Sequence, residues 1–198
     1  MSCAVAVAVE NKIILKADTR MVRYLDEDHR QYEIANDDTH KIFKINKNIA
    51  VAICGNAETC IRYRDYIQTF DHPECLKFNK VKRLLLEHIY AATSRNAHSN
   101  AVICGKDDSG KNYIYSIKFD SIDNQYKEKM DFADMPGARC FSILSSGTPQ
   151  GQEVYIKFIE RMQQAENIQE ICDSMDSLIL KISEIDLSVN NKIETIIF

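Results

Sequence analysis

The chain has 198 residues, of which 45% are hydrophobic and 27% charged, with a formal net charge of −4. A domain of this size buries roughly 70% of its unfolded surface, so folding requires no disulfide or metal staple. Six glycines and three prolines exclude collagen-like, low-complexity and long-linker organisation, and the mildly acidic balance gives no reason to expect a nucleic-acid or membrane partner.

Residues 3–9 form an unbroken run of Cys, Ala and Val, which reads as a strand buried on both faces. Glu10-Asn11-Lys12 is a short polar turn, and residues 13–17 give a second strand, so the two make a hairpin. Residues 19–40 are polar and rich in Asp, Arg and His, which reads as a long excursion. Residues 41–45 and 49–54 are predicted as strands joined by Asn46-Lys47-Asn48. Helical spacing then takes over. Cys60, Tyr63, Ile67 and Phe70 share one face of a helix that ends near His72-Pro73, and Val81, Leu84, Leu85 and Ile89 line a second. Strand patterns return at 100–105, 112–119, 126–132 and 139–145. Thr148-Pro149 opens a third helix with Val154, Phe158 and Met162 inward, and a fourth runs from about Asn167 with Ile171, Met175, Leu178 and Ile182 inward. A last strand is predicted over 192–198.

No repeat or linker divides this order, so residues 1–198 are expected to form a single domain. Strands and helices come in segregated runs, which predicts the α+β class. Two antiparallel sheets face to face, with a helix pair outside each, would bury both faces of the apolar strands. The expected architecture is a four-layer αββα sandwich.

Seven cysteines, an odd number scattered singly with no C-x-x-C pair, argue for free thiols in a reducing compartment. The opening lacks the basic region of a signal peptide, and no apolar run approaches 18 residues. A cytoplasmic protein with no membrane partner is expected. There is no P-loop, G-x-G-x-x-G, H-E-x-x-H or G-x-S-x-G, and the five histidines show no ligand spacing. Neither a cofactor nor a metal is expected.

Two positions carry more chemistry. In Lys41-Ile42-Phe43-Lys44-Ile45, period-two geometry sets Lys41 on the face of Phe43 and Ile45. A lysine there either snorkels to solvent or finds a carboxylate, and Asp18, just past the second strand, is the nearest partner by topology. At the other position, removal of Met1 would leave Ser2 with a hydroxyl and a free α-amine on one residue. Such an amine titrates at about 7.7–8.0 and can act as a general base at neutral pH. The strand immediately behind Ser2 would hold that terminus rigid.

These residues resemble the opening of proteasome β subunits and of the HslV peptidase, both N-terminal-nucleophile hydrolases. Ser2, an apolar strand, a turn, a second strand and Ala17-Asp18-Thr19-Arg20 are similar to that opening. The family's catalytic aspartate follows its nucleophile by sixteen residues, the separation of Asp18 from Ser2 here. The strand beginning at Lys41 resembles the one carrying the catalytic lysine. Residues 49–54 followed by Gly55-Asn56-Ala57-Glu58 resemble the strand, glycine turn and first helix, and Ser145-Ser146-Gly147-Thr148 resembles the Gly-Ser-Gly-Ser element.

The resemblance implies peptide-bond hydrolysis with no cofactor, inside a homo-oligomeric ring that an ATPase unfoldase can serve. It implies catalytic roles for Ser2, Asp18, Lys41, Ser146 and Asp186, and an oxyanion N–H at Ala52, where the family has glycine. Ala50 and Glu58 fall at the primary specificity pocket, which implies a preference for basic residues before the scissile bond, and Arg20 falls among the substrate-binding residues. The sequence departs from the pattern in using serine for the usual threonine and in lengthening the segment between Asp18 and Lys41. It also reads Asp186-Leu187-Ser188-Val189 where the family has Asp-x-x-Ser-Gly. Activation is expected to rest on removal of Met1. Two other readings remain open at this stage: a non-catalytic subunit that keeps the fold, and a stand-alone amidase or acylase, including one trimmed to expose Cys3.

Overall fold

The computed structural model describes residues 2–9, 12–25, 31–93, 98–107, 109–133, 137–145 and 149–198. Strands β1 (Ala4–Val9) and β2 (Lys12–Asp18) pair antiparallel, with Ala4 opposite Ala17. They form the centre of a four-stranded sheet in the order β10-β1-β2-β11, where β10 is Arg139–Leu144 and β11 is Ile193–Ile197. The second sheet has five antiparallel strands in chain order: β5 (Ile42–Asn46), β6 (Ile49–Gly55), β7 (Ser99–Lys106), β8 (Asn112–Asp120) and β9 (Gln125–Ala133).

Side-chain alternation sorts the apolar residues into three cores. Ala4, Ala6 and Ala8 of β1 join Ile13 and Leu15 of β2 and Ala50, Ala52 and Val102 of the second sheet in a core between the sheets. So many alanines let the two sheets approach closely. Val5, Val7 and Ile14 face the other way, against α3 (Pro149–Gln164) and α4 (Ile168–Ile185). Val51, Ile53 and Ile103 meet α1 (Ala57–Gln68) and α2 (Phe78–Thr93) on the outside of the second sheet. The layers are therefore helix, sheet, sheet, helix, as the segregated order of elements predicts. Each fully buried Ile or Leu contributes about 1.5–3 kcal/mol relative to exposure.

The segment read as a polar excursion contains two short strands. β3 (Met21–Tyr24) and β4 (Tyr32–Asn36) pair only with each other, as a separate two-stranded ribbon. Most of β4 is exposed, Ile34 included, so no apolar run marks it in the sequence. The Glu10-Asn11 turn and Thr148, predicted to open α3, lie outside the described residues. No helix is long and apolar enough to cross a membrane among the described residues.

Candidate active site

The end of β2 delivers Asp18 into the interior, where it is fully buried. Its N–H donates to the carbonyl of Cys3 at 3.0 Å, and the N–H of Cys3 donates back to Asp18 Oδ1 at 2.8 Å. Lys41, one residue before β5, sends Nζ to Asp18 Oδ2 at 2.7 Å. Oδ2 also accepts from the N–H of Arg20 at 3.0 Å and, at 3.5 Å, from the N–H of Asn190. Lys41 thus takes the carboxylate rather than solvent, with 6% of its side chain exposed. An ion pair this deep survives because main-chain donors satisfy the remaining lone pairs.

Ser2 is half-buried and lies one residue ahead of the N–H that Asp18 holds. Alternation along β1 sets Ser2 on the side of Ala4 and Cys3 on the side of Val5. Cys3 is fully buried in the helix-side core. Burial, then the Asp18 charge, push its thiol well above the ordinary range. A protonated thiol enclosed in this way is not poised to attack a substrate, so the Cys3 alternative has no support in this arrangement.

Asp186 ends α4 and is buried; its Oδ1 accepts from the N–H of Ser188 at 2.9 Å and the Ser188 hydroxyl at 2.5 Å. The serine offset by one position therefore still reaches the aspartate. Ser146 lies outside the described residues. Its neighbour Ser145 accepts a hydrogen bond from the Tyr155 hydroxyl at 2.7 Å.

Ala52 is placed differently from the expectation. The Ile53 N–H points toward β5, donating to the carbonyl of Lys41 at 3.2 Å. N–H groups alternate along a strand, so Ala52 directs its own toward β7, where Val102 sits opposite. That N–H belongs to the sheet ladder and cannot serve an oxyanion beside Lys41. By the same alternation the N–H of Gly55, two residues beyond Ile53, falls on the β5 side. Its φ is +113°, and a Cβ there would lie 2.8 Å from the carbonyl oxygen of His98. Conformation and space both demand glycine.

The expected specificity residues do not form a pocket. Ala50 is fully buried between the sheets, away from any opening. Glu58 is exposed in the first turn of α1 and pairs with Arg62 one turn on. Their separation removes the geometric basis for a basic preference. Arg20 is engaged as well: Nε and Nη2 donate to the Asp37 carboxylate at 2.6 and 3.2 Å, and Nη1 to the carbonyl of Leu187 at 2.8 Å. The pairing raises the guanidinium's pKa, while the same hydrogen bond from Arg20 lowers that of Asp37.

Asn190 is absent from the sequence reading, yet it sits in the middle of this network. A polar residue in a loop carries no spacing signal that could have marked it. No group of three or more potential metal ligands occurs among the described residues. A groove between α3 and α4, lined in part by Val154, Phe158, Leu178 and Ile185, lies on the helix side of the first sheet and takes no part in this cluster.

Comparison with known proteins follows the same lines. No curated protein sequence matches the chain. In structure it is similar to Anbu from Hyphomicrobium sp. strain MC1, with a TM-score of 0.69 at 17% identity over 99% of this chain and 81% of that one. A Gly-1 mutant of that Anbu gives 0.68 at 16% identity, over 100% of this chain and 81% of the other. Eukaryotic HslV from Trypanosoma brucei gives a TM-score of 0.60 at 12% identity over 98% of both chains. At these identities the likeness is one of fold. The family model described as Proteasome subunit matches residues 2–129, more than half of the sequence, and the chain belongs to that family.

Proposed function

We propose that the protein is an N-terminal serine peptidase, activated by removal of Met1 and acting without a cofactor. The observation that carries this reading is the buried Lys41–Asp18 pair, tied by a hydrogen bond to the N–H of Cys3, the residue next to Ser2. In the proposed mechanism the α-amine of Ser2 accepts the proton of its own hydroxyl, directly or through water. Oγ then attacks the peptide carbonyl carbon. Lys41, held by Asp18, supplies positive charge beside the developing alkoxide, and the Gly55 N–H donates to the oxyanion. Collapse returns the proton to the leaving amine and leaves an acyl ester on Ser2. Water, deprotonated by the same α-amine, hydrolyses that ester and restores the hydroxyl.

The reading extends to assembly: a homo-oligomeric ring in the cytoplasm, its chamber fed with polypeptide by an ATPase unfoldase. Family membership supports this extension.

Intact mass of the native protein, with hydrolysis of a fluorogenic peptide panel, tests the chemistry. The expected result is a mass lacking Met1 and turnover that Ser2→Ala abolishes. Retained Met1 in every preparation, with no turnover, would leave a non-catalytic subunit; turnover surviving Ser2→Ala would refute the nucleophile. Mass photometry with and without a candidate ATPase and ATP tests the ring and its partner.

A further inference from the structure

The loop between α4 and β11 leaves the helix at Asp186 and enters the strand at Ile193, which lies opposite Asp18. Register therefore brings Asn190 against the end of β2. Its side chain is almost completely enclosed, with the residue 5% exposed. Oδ1 accepts from the N–H of Thr19 at 3.0 Å and lies 3.4 Å from the Thr19 hydroxyl. Nδ2 donates to the Thr19 hydroxyl at 3.2 Å, and to the carbonyl and Oδ1 of Asp37 at 3.2 and 3.3 Å. The Thr19 hydroxyl itself donates to the Asp37 carbonyl at 2.6 Å.

Thr19 stands between Asp18 and a residue that sets its carboxylate. Asp18 precedes it, and Arg20, which follows, gives its N–H to Asp18 Oδ2. The Arg20 side chain clamps Asp37 and the Leu187 carbonyl. Fixing the Thr19 peptide therefore fixes the direction of Asp18 Oδ2, the oxygen on which Lys41 sits. Asp37 closes the base of the β3–β4 ribbon, so one carboxamide joins the ribbon, the C-terminal loop and the end of β2.

We propose that Asn190 is the positioning residue for the Asp18–Lys41 pair, acting through the acceptor bond from Thr19. It touches neither substrate nor the reacting atoms. This role rests on the peptidase reading for its consequence in turnover, but not for its structural content.

The experiment compares Asn190→Ala with the exchanged pair Asn190→Asp/Asp37→Asn, which keeps the acceptor for Thr19 and a single carboxylate at the site while reversing the amide–carboxylate hydrogen bond. Amide hydrogen exchange is followed at Thr19 and Arg20, with Val7 and Leu15 as internal controls for the fold. Asn190→Ala is expected to speed exchange at Thr19 and Arg20 by about fivefold to tenfold, the loss of one buried hydrogen bond, with the controls unchanged. The exchanged pair is expected to restore slow exchange at Thr19. Peptide turnover should follow the same order, with kcat falling in Asn190→Ala and recovering in the exchanged pair while KM stays level.

Equal acceleration at Val7 and Leu15 would make Asn190 a general stabiliser and overturn the assignment. Unchanged exchange at Thr19 in Asn190→Ala would do the same, as would a rise in KM alone. If the wild-type protein hydrolyses no peptide, the peptidase reading fails, and the exchange pattern alone still decides whether Asn190 positions the pair.

Discussion

Asp18 draws its donors from four stretches of chain: Cys3, Arg20, Lys41 and Asn190. Because the carboxylate is fully enclosed, its counter-charge cannot be replaced by water. Lys41→Met is expected to destabilise the protein by about 3–5 kcal/mol, the typical cost of stranding one member of a buried pair. The double variant Lys41→Met with Asp18→Asn should lose at least about 1 kcal/mol less than the sum of the single losses. Urea denaturation of the three variants measures this, and strict additivity would mean that the pair is not coupled. Asp18 and Lys41 were legible in sequence because each carries a local signal: a carboxylate just past the second strand, and a lysine at the head of an apolar one. Asn190 has none. Its bonds to Thr19 and Asp37 span 171 and 153 residues, and nothing short of the closed fold brings those positions together.

Alternation within β1 is the element that explains the layers. Alanine at 4, 6 and 8 faces the other sheet and valine at 5 and 7 faces the helices, and the sequence shows this pattern directly. The helices were legible for the same reason; the structure adds that the Asn56 side chain caps α1 by accepting from the Thr59 N–H at 3.0 Å. The β3–β4 ribbon was not, because a two-stranded element outside both sheets has no buried face to impose a pattern. Nor did sequence point to the proposed donor at the end of β6. The resemblance implied Ala52, whereas the direction of each N–H depends on which neighbour closes the ladder first. Gly55→Ala is expected to lower stability by about 1–3 kcal/mol, the range for a non-glycine residue forced into such a backbone region. The contact with the His98 carbonyl adds to that loss. Thermal unfolding of the variant gives the comparison, and an unchanged midpoint would show that the turn relaxes to accommodate a side chain.

Across the whole molecule, the three cores enclose thiols as well as hydrocarbon. Burial pushes the Cys54 thiol up to about 12 and those of Cys60 and Cys140 up to about 11, and it raises Cys3 and Cys104 as well. An unfolded thiol titrates at about 8.5. The folded state therefore keeps protons that the unfolded state releases, so this contribution to stability is complete below about pH 8.5 and is lost as pH rises through the folded values. Unfolding free energy should decline from about pH 9 upward. In Cys54→Ala the decline should be shallower by up to about 1.4 kcal/mol per pH unit, beneath a constant offset from the lost packing. Parallel pH slopes for the two proteins would show that the Cys54 thiol is not held protonated by the fold.

The span of the Asp18 cluster has a consequence for biosynthesis. On the ribosome, Ser2, Asp18 and Lys41 emerge early, but the segment carrying Asn190 and the edge strand beside β2 comes more than 140 residues later. Until then the first sheet lacks one border and Thr19 lacks its anchor. A nascent chain therefore carries the reactive side chains without the frame that aligns them, and the proposed protease stays latent until that segment has been made.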